Sequence, residues 1–190
     1  MALDKNLSEL PTDLPVPVDD GAANHLPGLA IPDIALPATV GGAVELSKRQ
    51  GRTVVFIYPR TGVPGAPSLA DDWEMIPGAR GCTPQSCSFR DHYAELKDAG
   101  AEVFGLSTQD TAFQREAVAR LHLPFSLLSD AELHLTRALN LPTLIVSGIT
   151  LLKRMGLVLR DGKIEHVFYP VFPPNEHAEK TVRWLLDNPA

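Results

Sequence analysis

Hydrophobic positions in this chain fall into short runs separated by proline, glycine and polar stretches, and the period of those runs switches between that of a strand and that of a helix. The run Thr53-Val-Val-Phe-Ile-Tyr58 is β-branched and aromatic throughout and is closed by Pro59, which predicts a central strand buried on both faces. Before it, Ile34 and Leu36, then Val44 and Leu46, alternate around Gly41-Gly42, the pattern of a hairpin with a tight turn. After it the units alternate: a strand over 102–107, a helix over 112–121, a strand over 125–128 and a helix over 131–139. Leu157–Leu159 and Ile164–Tyr169 flank Asp161-Gly162 as a second hairpin, and 176–186 reads as a closing amphipathic helix. That order predicts an α/β fold with a partly parallel sheet.

Two segments stand outside the pattern. From Leu10 to Ala38 the chain carries Pro11, Pro15, Pro17, Pro27, Pro32 and Pro37 without helical periodicity, so an extended arm is expected over 1–27, ahead of one domain over 28–190. Arg60 to Arg80, with Pro64, Pro67 and Pro77, is too long for an ordinary connection and is expected to be functional or inserted.

Composition narrows the function. The 190 residues carry a formal net charge of -6, with Lys and Arg scattered, which argues against a nucleic-acid partner. No run reaches the ~18 to 20 apolar residues of a membrane span, and the opening residues lack an apolar signal core, so a soluble, cytoplasmic protein is expected. The 6 histidines show no metal-ligand spacing and are read as solvated or structural. Only 2 cysteines are present, five apart, too few for a secreted disulfide scaffold or an unaided four-ligand zinc site. Redox or nucleophilic chemistry remains for them, with no metal or cofactor called for.

Cys82-Thr-Pro-Gln-Ser-Cys87 is expected to open a helix, with Thr83 as N-cap, Pro84 at the first helical position, Phe89, Tyr93 and Leu96 as the buried stripe and Gly100 as the stop. Cys82 then lies where unpaired amides and the helix dipole favour an anion, and the thiolate is the reactive form of cysteine. Arg80 adds a nearby positive charge. Ideal helix geometry puts residues i and i+5 about 8.6 Å apart at Cα, whereas a disulfide needs under about 7 Å. Pairing would therefore require the helix to unwind, which suits a reaction cycle better than a permanent staple. The spacing alone leaves open that both are ordinary buried cysteines.

Gly81-Cys-Thr-Pro-Gln-Ser-Cys87-Ser-Phe-Arg-Asp91 resembles the active-site segment of the peroxiredoxin Q family, also called bacterioferritin comigratory proteins. Tyr58-Pro59, Val103-Phe-Gly-Leu-Ser-Thr108, Phe125-Ser-Leu-Leu-Ser-Asp130 and Asp161-Gly-Lys-Ile-Glu-His166 fall in the family's order and extend the resemblance over roughly 28–186. It implies a thioredoxin-like fold, a central mixed sheet flanked by helices. It further implies that the Cys82 thiolate attacks a hydroperoxide and becomes a sulfenic acid, that Cys87 condenses with it to a disulfide, and that thioredoxin or a similar dithiol protein recycles the pair. Arg154 matches the family's thiolate-holding arginine, with Lys153 the candidate one register away. The family has both monomers and homodimers.

The chain departs from this pattern before Cys82. The family's threonine, three residues ahead of the cysteine, is replaced by Ala79; its proline is represented by Pro59, with 62–76 inserted between. Thr61 or Thr83 is then the candidate source of the hydroxyl that binds peroxide, and Trp73 and Glu74 are candidates to cap the site or mediate a dimer contact. Rival readings are a dithiol-disulfide oxidoreductase, which normally uses C-x-x-C, and a peroxide-sensing or binding module with little turnover. A phosphatase-like loop fails because Ser88 stands where it needs arginine.

Overall fold

The computed structural model describes residues 7–189. Its centre is a five-stranded mixed sheet of order β5-β4-β3-β8-β9, built from β3 (Arg52–Ile57), β4 (Ala101–Ser107), β5 (Leu127–Ser129), β8 (Met155–Arg160) and β9 (Lys163–Phe168). β3 pairs in parallel with β4 and antiparallel with β8, and β4 pairs in parallel with β5. Strand alternation sends Val55 and Ile57 of β3 into one apolar cluster and Val54 and Phe56, followed by Tyr58, into another on the opposite face.

The two faces are covered differently. Under the first lie α4 (His134–Leu139), through Leu135 and Leu139, the hairpin of β1 (Ala35–Pro37) and β2 (Ala43–Glu45), and Ala23, Leu26 and Ile31 of the N-terminal segment. Under the second lie α1 (Cys82–Asp91), α2 (Tyr93–Asp98), α3 (Thr111–Leu121) and α5 (His177–Asp187), contributing Phe89, Leu96, Ala117, Leu121, Val182 and Leu185. Burial of about 1.5–3 kcal/mol for each large apolar side chain holds both layers to the sheet. No helix among the described residues is long and apolar enough to cross a membrane.

Several expectations are corrected. The helix begun at Cys82 is not continuous: it breaks at His92, whose ring Nδ1 lies 3.0 Å from the Ser88 carbonyl that its own backbone amide also engages. Thr83 is not the N-cap. Gly81 takes that place at a φ of 103°, Cys82 is the first helical residue, and Pro84 stands third, where a missing N–H still costs nothing. Helix α4 starts at His134 because the Asp130 carboxylate accepts from the amides of Leu135 and Thr136 at 3.0 and 2.8 Å. A hairpin not anticipated, β6 (Thr143–Val146) and β7 (Ile149–Leu152), turns at Ser147-Gly148, both with positive φ.

That hairpin gives the 60–80 loop its support. Trp73 and Ala79 of the loop pack with Val146 and Leu151 in a third apolar cluster, and the Ser147 hydroxyl donates to the Leu69 carbonyl at 3.0 Å. The loop is thus built onto the domain by its own small core. Trp73 is 7% exposed, an anchor in that core, while Glu74 beside it is exposed and faces Arg80.

Candidate active site

Cys82 sits at the first turn of α1, 3% exposed, behind the end of β3. Three groups meet its Sγ: the Arg154 guanidinium donates from Nη2 at 3.2 Å, the backbone amide of Arg60 from 3.4 Å, and the Ala79 carbonyl lies at 3.6 Å. Pro59, buried at the end of β3, sets the turn that brings the Arg60 amide there.

Arg154 follows β7 and precedes β8, so two ordered strands hold it in place, and it is 3% exposed. Beyond Cys82, the carbonyls of Gly78, Ala79 and Arg80 lie 3.1, 3.2 and 3.0 Å from its Nη2 and share that nitrogen's two protons with the sulfur, and its Nη1 donates to Oε1 of Gln85. The guanidinium thereby ties the end of the long loop to the cysteine helix. Lys153 points the other way, its Nζ 2.6 Å from the Asp20 carboxylate, so Arg154 is the residue that faces inward.

A cleft of about 600 Å³, counting its open mouth, leads from the surface to Cys82. Arg60, Thr61, Arg80 and Thr83 supply its polar wall; Leu7, Val63, Leu69, Trp73 and Phe113 supply much of the apolar one. The Arg60 guanidinium lies 4.7 Å above the Phe113 ring, and partial burial pushes its pKa down. Thr61 is fully buried and its hydroxyl donates to Gln109 Oε1 at 3.1 Å, an oxygen that also takes the Thr61 amide at 2.9 Å. Its proton is therefore spent, and toward the cleft the hydroxyl is an acceptor. Thr83 lies on the same wall one residue after Cys82, and Ala79 packs its methyl in the Trp73 cluster.

Cys87 is half-buried on the same helix, and both thiols are free. Burial pushes its pKa up, with Arg90 opposing, so Cys87 is held as the protonated thiol. The two cysteines thus stand in unlike surroundings, one against a buried cation and one desolvated.

Gln85 and Gln109, both buried, were not singled out by the sequence reading. For Gln85 a signal existed, because i and i+3 on a helix share a face and Gln85 stands three after Cys82. For Gln109 there was none. Among the described residues no three His, Cys, Asp or Glu side chains gather as a metal site would require.

Residues 26–183 match the Redoxin family. The chloroplastic peroxiredoxin Q of Populus jackii is 30% identical over 181 residues, covering 92% of this chain and 76% of that protein. The chain is a member of the peroxiredoxin Q family. The chloroplastic peroxiredoxin Q of Oryza sativa subsp. japonica is 35% identical over 160 residues, 83% of this chain but only 65% of the rice protein's length. Among solved structures, the peroxidoxin BcpB of Mycobacterium tuberculosis superposes with a TM-score of 0.70 at 25% identity, over 87% of this chain and all of that one. Peroxiredoxin Q of Xanthomonas campestris, at 20% identity and a TM-score of 0.66, shares the thioredoxin-like fold over 94% of this chain.

Proposed function

We propose that the protein is a thiol-dependent peroxidase in which Cys82 attacks hydrogen peroxide or an alkyl hydroperoxide. The observation that carries this is the Arg154–Cys82 contact. Arg154 is a buried cation whose bonds run to three backbone carbonyls, one amide oxygen and one sulfur, with no carboxylate bonded to it among the described residues. A buried charge needs an opposite one, and the group in contact that can supply it is the Cys82 thiolate.

The thiolate attacks one oxygen of the peroxide and the O–O bond breaks. Cys82 leaves as a sulfenic acid, and the departing alkoxide or hydroxide takes a proton to become alcohol or water. The Arg154 fork and the Arg60 amide stabilise charge as it moves from sulfur to the leaving oxygen. Cys87, kept as a thiol, condenses with the sulfenic acid, forming the Cys82–Cys87 disulfide and releasing water. Because α1 is continuous over 82–91, its first turns must open for the sulfurs to meet. A thioredoxin-like dithiol then reduces the exposed disulfide.

One observation favours a second reading, a peroxide sensor with slow turnover: the threonine position is an alanine buried in an apolar cluster, and the Thr61 hydroxyl has already given its proton to Gln109. Peroxide consumption coupled to thioredoxin oxidation, for wild type, Cys82→Ser and Cys87→Ser, separates the two. Sustained wild-type turnover lost in both variants supports the peroxidase; one round of disulfide formation without turnover supports the sensor; wild-type rates in Cys82→Ser would end both.

A further inference from the structure

His177, the first residue of α5, is 1% exposed and is drawn into the site through Gln85. The chemistry of that contact is one-directional. A guanidinium only donates, so the Gln85 atom facing Arg154 Nη1 is its oxygen, and the amide nitrogen is turned to His177 Nδ1 at 2.8 Å. Nδ1 must then be an acceptor, which puts the ring proton on Nε2.

The ring has no room to turn. It stands edge-on to Phe89 of α1, with centroids 5.0 Å apart, and to Phe168 of β9 at 5.6 Å. Its Nε2, buried without a hydrogen-bond partner, lies over Gly156 of β8, where a Cβ would overlap it. The orphaned N–H costs stability, and the geometry it accompanies is the Nδ1 lone pair aimed at Gln85. The charges that face the ring are both cationic: Arg154, and Lys180 of its own helix, which is itself paired to Glu176 at 3.0 Å. Burial first, and then those charges, bring the imidazole down to about 3, so it stays neutral at physiological pH.

We infer that His177 is a positioning residue of the thiol site: it fixes the Gln85 amide, whose oxygen fixes Arg154, whose Nη2 meets Cys82. With the acceptor gone, the amide is free to rotate and to present its NH2 to a guanidinium that has only donors, so Arg154 loses the bond that orients its fork. The docking of α5 thereby becomes part of the thiolate's environment. The inference rests on Cys82 being the attacking thiolate.

The test uses the full chain with Cys87→Ser, leaving one thiol. The pH midpoint of its thiolate absorbance and the second-order rate of sulfenic acid formation with hydrogen peroxide are measured for His177, His177→Leu and His177→Gln, with thermal melts of each. Expected for His177→Leu is a midpoint raised by about one pH unit, about a tenfold change in the ionisation equilibrium, and a rate of sulfenic acid formation below the parent's, with His177→Gln, which keeps an acceptor, recovering most of both. A His177→Leu protein that melts earlier but keeps the parent midpoint and rate would reduce His177 to packing, as would a Gln variant no better than Leu. If His177→Leu does not fold, Gly156→Ala, which pushes on Nε2 from the strand side, must show the same upward shift, and an unmoved midpoint there overturns the inference. Should the parent itself fail to react with peroxide, the peroxidase reading fails while the midpoints still report on the network.

Discussion

Arg154 Nη2 and Cys82 Sγ, 72 positions apart in the chain, stand 3.2 Å apart, both residues 3% exposed. The same nitrogen holds three carbonyls of the loop that leads to the cysteine, so one side chain both charges the site and fastens its wall. Arg154→Met is expected to slow peroxide-dependent oxidation of Cys82 by about 10² to 10³, the cost of removing one positioned donor. Arg154→Lys keeps the charge but not the fork, and should fall between. Stopped-flow oxidation by hydrogen peroxide checks the order wild type, Lys, Met.

Restoring the family's threonine should not restore what it does elsewhere. The Ala79 methyl points into the cluster of Trp73, Val146 and Leu151, with no exposure at all, so Ala79→Thr would bury a hydroxyl among apolar groups rather than offer it to peroxide. Overpacking and desolvation predict a loss of about 1–3 kcal/mol and no gain in rate, measured by chemical denaturation and peroxide kinetics together. A faster Ala79→Thr protein would contradict this placement of the loop.

Gly81 caps α1 at a φ of 103°, and a Cβ there would overlap Pro174 and come within 2.9 Å of Leu10. Gly81→Ala must either strain the left-handed backbone or move the helix start, and Cys82 with it. A destabilisation of about 1–3 kcal/mol and a slower Cys82 are expected together, read from the thermal midpoint and from alkylation rates.

Acid should weaken the fold through His177. Its folded-state pKa of about 3 lies below the ordinary 6.5, so the unfolded chain binds the proton more readily. Its contribution to stability is complete above about pH 6.5 and is lost as the pH falls from there towards 3. His177→Gln removes that titration, so the difference in unfolding free energy between wild type and variant should shrink across this window. Urea denaturation at several pH values measures it, and a difference independent of pH would contradict a neutral buried imidazole.

How far these residues were visible in the sequence depended on how local their partners are. The continuous β-branched and aromatic run at 53–58 had both faces written into six residues, and the Asp161-Gly162 turn, with φ of 49° and 73°, was legible from two. Cys82 and Cys87 were singled out by their count, spacing and place at a helix start, but their separate roles and Arg154 came through a resemblance, since nothing near Arg154 shows that its fork reaches a residue so far back in the chain. The break at His92 and the cap at Gly81 were missed because each depends on a competing hydrogen bond or a backbone angle that residue type does not specify. The β6–β7 hairpin was hidden because its buried positions are chosen by the inserted loop rather than by the main sheet. His177 read as one more structural histidine; its partner Gln85 lies 92 residues away.

In the proposed cycle Cys82 is oxidised first and Cys87 resolves it. Mass spectrometry after one equivalent of hydrogen peroxide, with a sulfenic-acid trap, tests it most directly on wild type, Cys82→Ser and Cys87→Ser. Expected are an intramolecular disulfide in wild type, a trapped sulfenic acid on Cys82 in Cys87→Ser, and no adduct in Cys82→Ser. A trapped sulfenic acid on Cys87 in Cys82→Ser, formed as fast as the wild-type disulfide, would contradict it.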